Sequence, residues 1–406
     1  MKAASIKRLL RTYQHLLPLT FQRKYFKSVR LVPRGRVSIG RALLSFSLVS
    51  AGMPPGHPVY AHHSGPWESS MIASFLLRRG YVVDVIHFTN RSFIPRDKYD
   101  VILTMMEDLY RLVAYAPNPP ESIVKIWLLY LSSVDQSNAS EMERIAALEA
   151  RRPGALYTPK RQEIYERQQE KTLALADGCT VAGNQLVLDT YPERFRHKIT
   201  PVYISASPLS WVKGESEYVP REREFVWYFG NGAVRKGLDI VLEAFAKHPS
   251  WKLHVIGTAP KEPDFMKIYR KELTQMSNIK TEGYLDPSST RFEEIMRTSF
   301  CFIAPTCTEG TSTATATMLQ VGLYPLVSRE SGVDLPEGCG KYFNALSVEE
   351  VERLATEALA LPDEAVRREI TATQAYALRE FSREAFAKRM EGALSRIIDR
   401  TRDRQI

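Results

Sequence analysis

Lys236 and Glu309 are the residues of this sequence whose type and setting best suit chemistry on a negatively charged, hydroxyl-rich ligand. Lys236 lies in Gly230-Asn231-Gly232-Ala233-Val234-Arg235-Lys236-Gly237, between an apolar run and a helical pattern. Its glycines permit close backbone approach, and a helix N-terminus with Arg235 and Lys236 favours a diphosphate. A plain strand-to-helix loop with solvated cations has the same spacing. Glu309 lies in Pro305-Thr306-Cys307-Thr308-Glu309-Gly310-Thr311-Ser312-Thr313. Its carboxylate can accept two hydrogen bonds from sugar hydroxyls, while the N–H groups of Gly310, Thr311, Ser312 and Thr313 at a helix start can hold phosphate oxygens. A helix cap rich in Ser and Thr is the alternative.

Two further turns belong to the same set. Gly257 ends the run KLHVIG, where a bulky side chain would block a flat ligand, and Gly283-Tyr284-Leu285 could offer backbone groups to a base edge while Tyr284 packs on it. Each fits a structural turn as well. In the N-terminal half, His63 and Glu68 fall between the short run PVY and a helical pattern, which puts either near a cleft; Asp135 follows the run IWLLYL. A histidine in such a place is more often structural than catalytic. Cys179, Cys301, Cys307 and Cys339 form no CxxC pair, so neither a zinc site nor a disulfide framework is indicated, and a reducing cytoplasm fits. We assign no metal ligands and no cofactor.

These turns need strands and helices to position them. Apolar runs alternate with helical patterns through the chain, which is the signature of βαβ units around parallel sheets. The N-terminal half predicts a helix over 66–79, strands over 81–87, 100–105, 123–129 and 179–183, and a helix over 161–176. The C-terminal half predicts strands over 225–230, 252–257, 299–305 and 324–328 and helices near 236–248, 263–275, 288–297, 312–322, 347–360 and 380–400. Two doubly wound domains follow, over 37–205 and 224–380, joined by a linker over 206–223. A terminal helix over 381–406 is placed to cross back to the first domain. In such sheets the ligand crevice lies at the carboxyl ends of the strands, where the four turns above fall.

At 406 residues, with 44% hydrophobic and 25% charged residues, the chain has the size and composition of a two-domain globular protein. Its net charge of +9 resides in residues 1–36, which hold ten Lys and Arg and no Asp or Glu, so the rest is close to neutral. Ile6, Leu9, Leu10, Tyr13, Leu16 and Leu17 recur there at helical spacing, as in a basic amphipathic helix suited to an anionic membrane surface. A solvated helix docked on its own domain, or a transit peptide, fits the same residues. No aromatic-basic module accompanies the charge, so no nucleic-acid partner is assigned.

Taken in order, the KG loop, the strand ending in Gly257, the GYL turn and the EG loop resemble GT-B glycosyltransferases, most closely the retaining glycosyltransferase family 4 group. The resemblance covers best residues 225–335, and GYVVDVIHF, ADGCTVAGN and SRESGVDL look like a bacterial branch associated with surface polysaccharides. It implies two Rossmann-like domains facing a cleft, a nucleotide-diphosphate sugar with UDP, GDP or dTDP as its carrier, and a glycan or lipid-linked glycan acceptor at the inner face of the cell membrane. The family's donor-sugar glutamate maps onto Glu309 and its phosphate-loop lysine onto Lys236. Its second glutamate, which holds ribose hydroxyls, falls at Thr317, and its usual arginine at Asn231. The hydroxyl at Thr317 should weaken ribose recognition by about 1–3 kcal/mol, which suits a dTDP donor, and Arg235 could stand in for the missing arginine. A catalytically degenerate partner subunit and a sugar-nucleotide epimerase are the competing implications.

Overall fold

The structure, a computed structural model, describes residues 28–35, 37–48, 51–53, 57, 60, 64–106, 108–160, 166–212, 214 and 222–404. His63, and the basic segment up to residue 27, lie outside the described residues.

The first sheet contains β1 (Val29–Leu31), β2 (Gly40–Phe46), β3 (Tyr81–His87), β4 (Val101–Thr104), β5 (Val124–Leu129), β6 (Gly178–Ala182) and β7 (Ile199–Val202), in the order β1-β3-β2-β4-β5-β6-β7. All neighbours are parallel except β1, which runs antiparallel to β3. β4 (VILT) and β5 (VKIWLL) are buried along their whole length, as parallel strands covered on both faces must be. The second sheet is all parallel: β8 (Glu224–Phe229), β9 (Lys252–Gly257), β10 (Ile279–Gly283), β11 (Cys301–Ala304), β12 (Tyr324–Val327) and β13 (Lys341–Tyr342), in the order β10-β9-β8-β11-β12-β13. Both sheets are doubly wound.

Five helices matter below: α1 (Ser64–Arg78), α2 (Val134–Arg151), α3 (Leu238–Lys247), α4 (Thr313–Val321) and α5 (Arg383–Asp403). Two of them are shared between the halves. The apolar face of α5, with Phe386, Met390, Leu394 and Ile397, packs into the core under β2 to β5 of the first sheet. In the opposite direction, Leu148 of α2 and Tyr157 just beyond it belong to the core of the second sheet. Each domain thus completes its core with a segment that comes from the other half of the sequence.

The elements differ from the sequence reading where packing overrides pattern. Val29–Leu31, within the basic span, forms an edge strand, with Arg30 Nε 2.8 Å from Asp84. β2, β7 and α2 carry no separate expectation. The stretch 263–275 is two helices, Pro263–Ile268 and Arg270–Gln275, broken at Tyr269, whose ring is buried beneath Arg152 at 4.1 Å. Tyr60, the described residue of the expected run PVY, lies in a turn. In the linker, Ala206 N–H donates to Phe381 O at 2.9 Å. Among the described residues, no helix is long and apolar enough to cross a membrane.

Candidate active site

β8 and β11 are adjacent, and β9 and β12 continue the sheet on either side of them. Their connections leave toward opposite faces, so the loops after β8 and β11 flank the crevice where such sheets take ligands. Lys236 comes from the first loop and Glu309 from the second; their charged ends are in contact, and both side chains are nearly buried. The loop backbone is fixed: Lys236 O accepts from Trp227 Nε1 at 3.1 Å and Lys236 N–H donates to Gly232 O at 2.9 Å. Lys236 Nζ also lies 5.2 Å from the centre of the Phe229 ring. The two residues with the clearest chemistry in the sequence are the pair the fold brings together.

The first domain closes over this pair. Ser132, just past β5, gives both its hydroxyl (2.6 Å) and its N–H (3.2 Å) to Glu309 O. Thr311 N–H donates to Ala182 O at 3.0 Å, and the Ser137 and Thr308 hydroxyls lie 3.3 Å apart. Gly310 is required at this contact, because a Cβ there would overlap the Tyr130 carbonyl oxygen and stand 2.5 Å from Ala182 O. Gly310→Ala is therefore expected to force the domains apart and to cost about 1–3 kcal/mol in urea unfolding; a change below 0.5 kcal/mol would show that the contact is loose. Beside the pair, a cavity of ≈ 250 Å³ is lined by Ser132, Gln136, Asp189, Thr190, Thr308 and Glu330 among others. Ligand sites span roughly 300–1,000 Å³, so this cavity falls just below the usual range.

Several candidates take other places. The side chain of Arg235 is fully buried, with Nη1 4.0 Å from Glu141 of α2, and so belongs to the domain contact rather than beside Lys236. Asn231 is exposed at the lip, where its Oδ1 accepts from the Thr258 hydroxyl at 2.6 Å, and Gly230 is exposed beside it. Thr317 is fully buried; its hydroxyl donates to Thr313 O at 2.7 Å and accepts from Ser207 N–H at 3.0 Å, which fastens the linker to α4. Gly257 serves the protein itself, since a Cβ there would overlap the Phe229 carbonyl. Ser312 caps α4 by accepting from Thr315 N–H, and its own N–H goes to Ser331 O, so the N–H groups of Thr311 and Ser312 already have protein partners. Thr313 opens that helix. Tyr284 is 57% exposed just past the end of β10, with Lys261 Nζ over its ring 6.0 Å from the centre. Asp135 is an exposed first-turn residue of α2.

Sequence reasoning missed Glu262. Its carboxylate accepts from Gly232 N–H at 2.6 Å, from Ala233 N–H at 3.3 Å and from the Tyr157 hydroxyl at 2.7 Å, so it fills the backbone anion cradle assigned above to a diphosphate. Ser132 and Tyr130 were also missed, although residues that follow a buried strand directly are the ones a doubly wound sheet presents to its crevice.

Glu68, in the second turn of α1, is buried, with one oxygen 3.3 Å from the Tyr130 hydroxyl. Burial pushes its carboxyl up to about 7, against hydrogen bonds from Ser64 and Tyr130 that act the other way. The folded protein keeps this proton to about pH 7 and the unfolded chain only to about 4.5, so unfolding releases a proton between those values. The contribution is full below about pH 4.5 and is lost as pH rises through 7; it amounts to about 3 kcal/mol. Glu68→Gln keeps the neutral shape, so its stability relative to wild type is expected to rise between pH 5 and pH 8. Parallel unfolding curves for the two proteins across that range would contradict a buried proton.

Residues 223–363 match the family described as Glycosyl transferases group 1. No curated protein matches the sequence. Among solved structures, the chain is similar to sucrose-phosphate synthase from Thermosynechococcus elongatus, at 15% identity over 89% of this chain and 98% of that one, with a TM-score of 0.58. It is similar to HepE from Anabaena, solved with UDP and glucose, at 13% identity over 88% and 99% of the two chains, with a TM-score of 0.56. At these identities the likeness establishes the fold, the two-domain GT-B architecture.

Proposed function

We propose, from the premise that this chain is a glycosyltransferase of GT-B architecture, that it moves a sugar from a nucleotide-diphosphate donor in the second domain to an acceptor hydroxyl presented by the first. The observation that carries this reading is the contact of Lys236 with Glu309 at the carboxyl ends of β8 and β11, inside a cleft that the first domain closes. An ammonium there offsets charge on a departing diphosphate, a carboxylate orients sugar hydroxyls, and closure excludes the water that would hydrolyse the donor. Donor binding separates the two side chains, Lys236 toward phosphate and Glu309 toward sugar. On the retaining course suggested by the family 4 resemblance, the bond from the anomeric carbon to phosphate breaks, the new bond forms on the same face, and a phosphate oxygen takes the acceptor proton. Tyr284 at the lip would stack on the base, in place of a structural role alone.

HepE was solved with UDP and with UDP-glucose, and on that likeness we favour UDP as the carrier ahead of GDP and dTDP. The acceptor is a glycan or lipid-linked glycan of surface-polysaccharide or glycolipid assembly. The basic segment 1–36 would hold the enzyme to the anionic inner face of the membrane where such acceptors lie. A second reading, a degenerate partner subunit, draws on Asn231 and Thr317, whose side chains are hydrogen-bonded within the protein. Thermal stabilisation against UDP, GDP, ADP and dTDP sugars separates the two, because a ligand bound only to the folded state raises the melting temperature. An active transferase is expected to respond to one carrier, with a smaller response in Glu309→Ala. No response to any donor selects the degenerate subunit.

A further inference from the structure

We propose that Glu262 is an anion built into the donor loop, a positioning residue whose carboxylate permanently holds the Gly232 and Ala233 N–H groups and thereby aims Lys236. The inference rests on the transferase reading for its catalytic consequence, and on hydrogen-bond geometry for the loop itself. Oε1 accepts from Gly232 N–H at 2.6 Å and from Ala233 N–H at 3.3 Å, and Oε2 lies 3.3 Å from the Ala233 nitrogen. Tyr157 donates its hydroxyl to Oε2 at 2.7 Å. All of this happens out of water, with Glu262 5% and Tyr157 7% exposed. Burial and the neighbouring carboxylate push the Tyr157 phenol far above its ordinary value, so it stays a proton donor.

The arrangement is a relay of fixed positions. Tyr157 sits on the segment after α2, which is tied to the second domain by Thr158 N–H on Asp264 Oδ2 at 3.0 Å and by the Lys160–Asp264 ion pair. Glu262 directly precedes the helix Pro263–Ile268, and Met266 N–H donates to its carbonyl at 2.9 Å, which fixes its backbone. Glu262 in turn holds the first turn of the loop, whose Gly232 O takes Lys236 N–H at 2.9 Å. The anchored backbone sets the root of the Lys236 side chain, whose Nζ lies 5.2 Å from the centre of the Phe229 ring and in contact with Glu309. The Gly232 and Ala233 N–H groups, each already given to Glu262, have no donor left to offer a phosphate. The donor diphosphate is then gripped by the lysine and not by the glycine amides, unlike a loop whose N–H groups cradle the phosphates directly.

The test compares wild type with Glu262→Gln and Tyr157→Phe by hydrogen exchange over residues 230–237 without ligand, and by donor kinetics and binding of UDP and GDP. In Glu262→Gln, the Gly232 and Ala233 amides are expected to exchange at least about tenfold faster. Donor KM is expected to rise and kcat to fall, each by about three- to tenfold, because the misaimed ammonium grips the bound diphosphate less well and offsets less of the charge that develops as it departs. Tyr157→Phe should move both readouts in the same direction by less. Tighter nucleotide binding by Glu262→Gln would overturn the proposal, since the carboxylate would then be competing with phosphate for the amides. A lower melting temperature with unchanged exchange and KM would overturn it as well, by reducing Glu262 to a stability role. If wild type binds neither nucleotide, the transferase reading fails by itself, while the exchange measurement still decides whether Glu262 holds the loop.

Discussion

Lys236→Met is expected to lower sugar transfer by about 10²–10³-fold, the usual effect of deleting one preorganised group that stabilises developing charge. Methionine keeps an unbranched stem against Phe229 and removes only the cation. The substitution has a second cost, because Glu309 is left as a nearly buried carboxylate without its partner. The two costs separate in a double variant. In Lys236→Met with Glu309→Gln no unpaired charge remains, so most of the lost thermal stability should return while transfer stays down. Activity that recovers together with stability would mean that Lys236 serves folding alone. Lys236→Arg keeps the charge but trades a compact ammonium for a planar fork, and should fall between.

The Lys236–Glu309 pair was legible because both residues lie in short loops between an apolar run and a helix, where glycine, hydroxyl and charge stand out from the background. The two doubly wound sheets were legible for the same reason: apart from Thr104 and Lys125, β4, β5, β11 and β12 are apolar runs that need no partner to be seen. The purposes assigned to the glycines were less readable. Gly257 looked like room for a flat ligand and Gly310 like an N–H donor to phosphate, and each lies against a carbonyl of the protein, Phe229 in one case and Tyr130 in the other. A sequence shows that a Cβ is absent without showing what comes close. Thr317 and Arg235 carry the same lesson, since hydroxyls and guanidiniums serve a domain contact as readily as a ligand.

The segment from Val134 to Lys160 was the least legible. Its helix has Ser133 as a good cap, with the hydroxyl accepting from Gln136 N–H, but the face it buries includes Ser137, Asn138, Ser140, Glu141 and Arg144. Hydrophobic periodicity does not register a helix whose buried face is largely polar. The acids that receive Arg144, Arg151, Arg152 and Tyr157 of this segment, Asp239, Glu243, Glu272 and Glu262, lie about a hundred residues onward, and nothing local in the sequence announces them.

Those partners set the other large expected effect. Asp239 opens α3 fully buried and receives Arg144 Nη2 at 2.7 Å and Arg151 Nη2 at 2.5 Å; Arg151 Nε also reaches Glu243 at 2.8 Å. Asp239→Asn removes the charge and keeps the shape, which strands a buried guanidinium, so a loss of about 3–5 kcal/mol is expected in urea unfolding. The loss should change little between low and high salt, because screening acts weakly on buried pairs. The exposed side of Arg353, paired with Glu350 and Glu357 on one helix, offers the contrast: Arg353→Ala should cost well under 1 kcal/mol, and less still in salt. Replacing the pair whole, as Asp239→Leu with Arg144→Met, should recover much of the stability, since the penalty lies in the stranded charge. Activity then discriminates further. α2 starts at Ser133 beside the Glu309 loop and ends among the acids of the second domain, so an apolar pair that restores stability without restoring transfer would show that the ionic network sets the spacing of the cleft.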